Sequence, residues 1–124
     1  MIGADPIGDF DAFTTAYIET AFWLAVDGAG ESVGWTFSLN DLAPEALESI
    51  LEDCAGFQDL AGELVSDHPA IAGRDFYLTR NRHGAGFWDG DWPHDVGQRL
   101  TELSRPYGSF GLYVGDDGLL HAYG

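Results

Sequence analysis

In DFYLTRNRHGAGFW, residues 75–88, apolar Phe76 and Leu78 alternate with Tyr77 and Thr79. A period of two belongs to a strand whose two faces differ, so Asp75–Arg80 is predicted to be a β-strand. Asn81–Gly84 then turns the chain, and Ala85–Trp88 returns as the second strand of a hairpin. The rest of the chain is arranged around that sheet.

On the C-terminal side, Asp89–Asp91 leads into a helix from about Pro93 to Ser104, with Asp91 as its cap and Val96, Leu100 and Leu103 inward. Pro106 and Gly108 stop it. Phe110–Val114 and Leu119–Tyr123 flank Gly115-Asp116-Asp117-Gly118, whose residues tolerate positive φ and so predict a second hairpin.

On the N-terminal side, Asp9–Val26 is an amphipathic helix capped by Asp9, with Phe10, Phe13, Tyr17, Ala21 and Leu24 toward the core. Asp27–Gly34 is a turn and Trp35–Leu39 a short extended piece. Ser38 to Asp41 has the spacing of a helix start, and Pro44 suits an early helical position. From there to Val65, one apolar face carries Leu47, Ile50, Leu51, Cys54, Phe57, Ala61, Leu64 and Val65. Gly56 and Gly62 are places for a bend or break. The expectation is a single α+β domain over 1–124. Two N-terminal helices fill an acidic half, 1–73. Two β-hairpins with an intervening helix fill 74–124 and form a small antiparallel sheet.

The chain holds 124 residues, 45% of them apolar and 14% aromatic, enough for one packed core and too rich in aromatics for a disordered acidic tail. No apolar run is long enough for a membrane span and no basic-then-apolar leader is visible. The single cysteine, Cys54, excludes an internal disulfide and fits a reducing cytoplasm.

Charge is the strongest compositional signal. Twenty-one acidic residues face five arginines and no lysine, for a formal charge of −16. Residues 1–73 carry 14 acidic and no basic residues. Such a field repels phosphate backbones, which argues against direct nucleic-acid binding, and attracts basic surfaces. Acidity serving only solubility or salt adaptation is the competing explanation.

Within that field, Asp41, Glu45, Glu48, Glu52, Asp59 and Glu63 fall on one stripe of the second helix if it is continuous, a row about 33 Å long at 1.5 Å per residue. Helical neighbours of like charge repel, and no cation is interleaved to relieve them. An unpaired carboxylate row resembles the charge pattern of a nucleic-acid backbone. The stripe residues are therefore the candidate contacts for a basic nucleic-acid-binding surface of another protein.

Other chemistry is thinly supported. His83, Asp89, Asp91 and His94 are of metal-ligating type, but their spacing matches no standard site, and neither a metal nor another cofactor is expected. Gly84-x-Gly86 lacks the remainder of a dinucleotide fingerprint, and Cys54 on an apolar helix face reads as a core residue. Trp88, Trp92, Tyr107 and Tyr113 serve either core packing or an aromatic binding patch. Trp92, at a loop–helix junction, is the one expected to be exposed and to act as an anchor.

Over DFYLTRNRHGAGFWDGD, residues 75–91, and LYVGDDG, residues 112–118, the chain resembles a family of small acidic proteins encoded by tailed phages and prophages. In that family a segment LTRNxHGxGFWD precedes LYVGDDG. The likeness spans roughly residues 38–118. It implies a gene on a mobile element expressed in the bacterial cytoplasm, and transfers no activity and no site residue. Because small acidic phage proteins are often inhibitors of host nucleic-acid machinery, it favours a non-enzymatic inhibitor of the anti-restriction or anti-CRISPR type, monomeric or homodimeric. A phage accessory or structural protein, and a small metal-dependent enzyme centred on the two histidines and two aspartates, are the alternatives.

Overall fold

The computed structural model describes residues 10–82 and 85–123. Among the described residues, five α-helices precede one antiparallel hairpin: α1 Ala12–Leu24, α2 Pro44–Ala61, α3 Glu63–Ser66, α4 Pro69–Arg80 and α5 His94–Ser104, then β1 Gly111–Val114 and β2 Leu120–Tyr123. Short 3-10 turns occupy Val33–Trp35, Leu39–Asp41 and Arg105–Tyr107.

The central correction concerns residues 75–88. Asp75–Arg80 is the C-terminal half of helix α4, and Ala85–Trp88 is irregular and turning, so the first predicted hairpin does not exist. The architecture is mostly helical, with the single two-stranded sheet β1–β2. Helix α4 hides its period because it is buried nearly all round: Ala72, Gly73, Asp75, Phe76, Tyr77, Thr79 and Arg80 are all inside. Buried polar residues break the apolar stripe by which an amphipathic helix is recognised.

Helices α1 and α4 pack closely along their lengths. Gly73 makes this possible, since a Cβ there would collide with the backbone carbonyl of Phe13. Phe13, Tyr17, Phe57, Phe76 and Phe87 are fully buried at the centre. Phe57 and Phe76 stack with centroids 4.2 Å apart, and Tyr77 meets Tyr17 edge-on at 5.2 Å, geometries that favour aromatic pairs beyond their area.

Helix α1 is capped by Asp11, which accepts from the Thr14 backbone N–H at 2.8 Å; the predicted cap, Asp9, lies outside the described residues. Phe13, Tyr17 and Ala21 are buried as expected, but Leu24 is exposed because the helix ends there. Trp35–Leu39 is not an extended piece: the chain makes tight 3-10 turns on either side of it. Ser38 and Asp41 form a capping box on the second of these turns, and α2 begins three residues later at Pro44. In between, the Ala43 N–H donates to the Leu120 carbonyl at 2.9 Å, tying the entry of α2 to the hairpin.

The apolar face of α2 is as predicted, with Ile50, Cys54, Phe57 and Ala61 buried. Its break falls at Gly62, whose φ of +54° lies in the left-handed region that favours glycine. The hairpin also matches expectation, with Gly111 opposite Tyr123 and Val114 opposite Leu120; its buried Leu112 and Leu120 join the core. No helix among the described residues is long and apolar enough to cross a membrane.

Candidate functional site

The acidic row is shorter than a continuous helix would make it. Glu45, Glu48, Glu52 and Asp59 lie on α2 and are exposed. They span about 21 Å at 1.5 Å per residue. Asp41 precedes the helix and is half-buried, accepting from the Ser38 N–H at 2.8 Å. Glu63 is exposed but sits in α3, beyond the break at Gly62. Asp53, the remaining acid of α2, turns inward to an ion pair with Arg80 at 2.8 Å.

One end of the row is tied to the hairpin. His121 on β2 places Nδ1 3.3 Å from Glu45 and Nε2 3.0 Å from Asp117. The hydrogen bond to Asp117, aided by Glu45, holds the His121 pKa above its ordinary value. The Leu119 backbone N–H and then His121 hold the Asp117 carboxyl below its own.

The second constellation is a clamp between α4 and the loop that follows it. Trp92, expected at the surface, is 8% exposed and donates its indole N–H to Asp75 at 2.8 Å. Buried beneath α5, it is no aromatic anchor. Asp91 does not cap α5, whose N-cap is Pro93; it pairs instead with Arg74 at 2.7 Å, and Arg74 also holds Asp75 at 3.0 Å. The Phe87 N–H donates to Thr79 Oγ1 at 3.1 Å, and Asp89 accepts from the Gly86 N–H at 3.2 Å. Burial pushes the Asp75 pKa up, and the Trp92 and Arg74 hydrogen bonds only partly oppose it.

Of the four residues of metal-ligating type, only the two aspartates fall in a carboxylate cluster among the described residues. Asp89 and Asp91 come within 4.8 Å of Asp75, a third carboxylate the sequence reading placed on a strand. His94 is exposed at the start of α5, and His83 lies outside the described residues. The Arg74 guanidinium bridges two of the three carboxylates, supplying the positive charge that a metal would otherwise bring. Cys54 is fully buried, and burial pushes its thiol up and away from the reactive thiolate.

The C-terminal end of α4 carries the residue whose importance sequence reading missed. The Arg80 side chain is 3% exposed. Its guanidinium donates to the Gly108 and Tyr107 carbonyls, to the Tyr17 hydroxyl and to Asp53, at 2.8–3.0 Å. It lies within 5.4–5.7 Å of the Phe76, Tyr107 and Phe110 rings. A second omission is the pair Trp23 and Trp35, edge-to-face at 5.1 Å and both exposed; the turn between them gave no sign that they meet. Trp88 and Tyr113 are about half exposed, while Tyr107 is largely inside.

Comparison with protein-family models, with curated proteins and with solved structures finds no match to this chain.

Proposed function

We propose that this chain is a non-enzymatic binding protein, encoded by a phage or prophage and acting in the bacterial cytoplasm. It occupies a basic nucleic-acid-binding surface on a host DNA- or RNA-handling protein, of the restriction or CRISPR kind. The observation that carries this reading is the exposed α2 row of Glu45, Glu48, Glu52 and Asp59 on a helix that holds no lysine or arginine, with only Glu45 meeting a basic partner, His121. A helix that only needs solubility gains by interleaving lysines, because unrelieved like charges at these spacings cost a few tenths of a kcal/mol each.

Inhibition on this reading is competition: the acidic face is attracted at long range and covers the basic groove. The row has roughly half the linear charge density of one DNA strand, which carries a phosphate about every 3.4 Å. Salt therefore weakens the complex through screening, with a shallower slope than for DNA itself.

The test is capture of host proteins on immobilised chain, at low and high salt, with double-stranded DNA as competitor. Nucleic-acid-binding proteins should be retained at low salt and released by DNA, and the E48K/E52K double substitution should abolish their capture while leaving the free energy of urea unfolding within about 0.5 kcal/mol of the parent. Capture that DNA does not displace, or that survives the charge reversal, overturns the reading in favour of an accessory or structural phage protein.

A further inference from the structure

The five arginines divide into two groups. Arg74 is paired with Asp75 and Asp91, Arg80 with Asp53, and Arg99 with Glu102 at 3.7 Å. Arg82 and Arg105 have no ion-pair partner among the described residues, although acidic groups outnumber arginines fourfold. Both line the same cleft of about 770 Å³, between the end of α4, the loop after it and the end of α5. The Trp88 indole, the Thr101 and Ser109 side chains and the Arg80 wall complete it.

The cleft is built rather than incidental. Arg82 adopts φ +57°, the left-handed conformation in which a helix usually ends on glycine, and non-glycine residues held there cluster at functional sites. Trp88 is fixed against Gly86, where a Cβ would come within 2.8 Å of the ring. The loop itself is pinned to α4 by the Phe87–Thr79 hydrogen bond. Trp88 also lines a second cleft of about 480 Å³ that shares Thr101 and Arg105 and includes Glu102, itself held by Arg99.

We propose that this cleft binds a small organic anion bearing a planar ring, in class a nucleoside monophosphate. Arg82 and Arg105 take the phosphate, the fork of a guanidinium matching its oxygens. The Ser109 hydroxyl supplies a further donor, the Thr101 hydroxyl being committed to the Gly97 carbonyl at 2.8 Å, and the ring stacks on Trp88. The volume suits a ligand of that size. The surrounding negative field excludes a polyanion and leaves room for one or two negative charges.

AMP, adenosine, ribose 5-phosphate and a 5′-phosphorylated oligonucleotide, titrated in turn into the full chain and followed by NMR and calorimetry, test the assignment. AMP should shift the Trp88 indole and Ser109 resonances and bind more tightly than either of its halves. Arg82→Asn, which keeps a residue tolerant of the left-handed backbone, and Arg105→Gln should each weaken AMP by about tenfold or more. Trp88→Ala should reduce AMP binding to the level of ribose 5-phosphate. Parental urea midpoints in these variants show that the fold is intact; a variant that fails this control is replaced by Arg82→Gly or Trp88→Leu. AMP that leaves those resonances unmoved, AMP binding that is unchanged in the double arginine variant, or tighter binding of the oligonucleotide overturns the proposal.

Discussion

Arg80 shows why a charged side chain can be a core residue. Four of its five N–H donors are used on partners in three other parts of the chain, so the cost of desolvating the guanidinium is met by charge-assisted bonds. Removing it leaves the Asp53 carboxylate and two carbonyls short of a donor. Arg80→Ala is expected to cost about 3–5 kcal/mol in urea unfolding. Adding Asp53→Asn should make the combined loss smaller than the sum of the single losses. Additive losses would show that the pair is not coupled. Arg80→Lys should not rescue, since an ammonium cannot reproduce the planar fork. None of this was legible beforehand, because alternation in DFYLTR and a basic residue at its end describe an exposed strand equally well.

At the level of elements, the described residues of the loop after α4 form no helix or strand and are held by side chains. Thr79 accepts from the buried Phe87 N–H. Thr79→Val keeps the shape and removes the acceptor, leaving an unpaired donor worth about 1–3 kcal/mol. The Phe87 amide should exchange with solvent faster in this variant, and the loss should be confined to the loop and the neighbouring α5. Unchanged exchange would mean that the hydroxyl does not hold the loop. Residues 85–92 misled sequence reading for the same reason: Gly86, Asp91 and Trp92 read as turn, cap or surface anchor, yet each makes its contact with α4 across the clamp. The α2 row was legible except for its length, because one glycine at positive φ ends the helix before Glu63.

For the whole molecule, the net charge of −16 sets the background against which single titrations act. His121 links the hairpin to α2 by facing Asp117 and Glu45. Its folded pKa lies above the ordinary 6.5. Its stabilisation is therefore fully present below about pH 6.5 and is lost as pH rises through the raised folded value. The melting temperature should accordingly be higher at pH 6 than at pH 8. His121→Gln should shrink that difference, and an unchanged difference in the variant would assign the pH dependence to other groups.

Local signals were enough for the acidic field, the core face of α2, helix α5 and the C-terminal hairpin. Charge count, a 3.6-residue period and turn residues that accept positive φ do not depend on distant contacts. Helix α4, the sorting of the arginines and the burial of Trp92 do depend on them. Arg80 reaches Tyr17 across 63 positions of sequence and Gly108 across 28, and Trp92 reaches Asp75 across 17. A polar residue can be buried only where such partners meet it, and that meeting place exists only once the chain has folded.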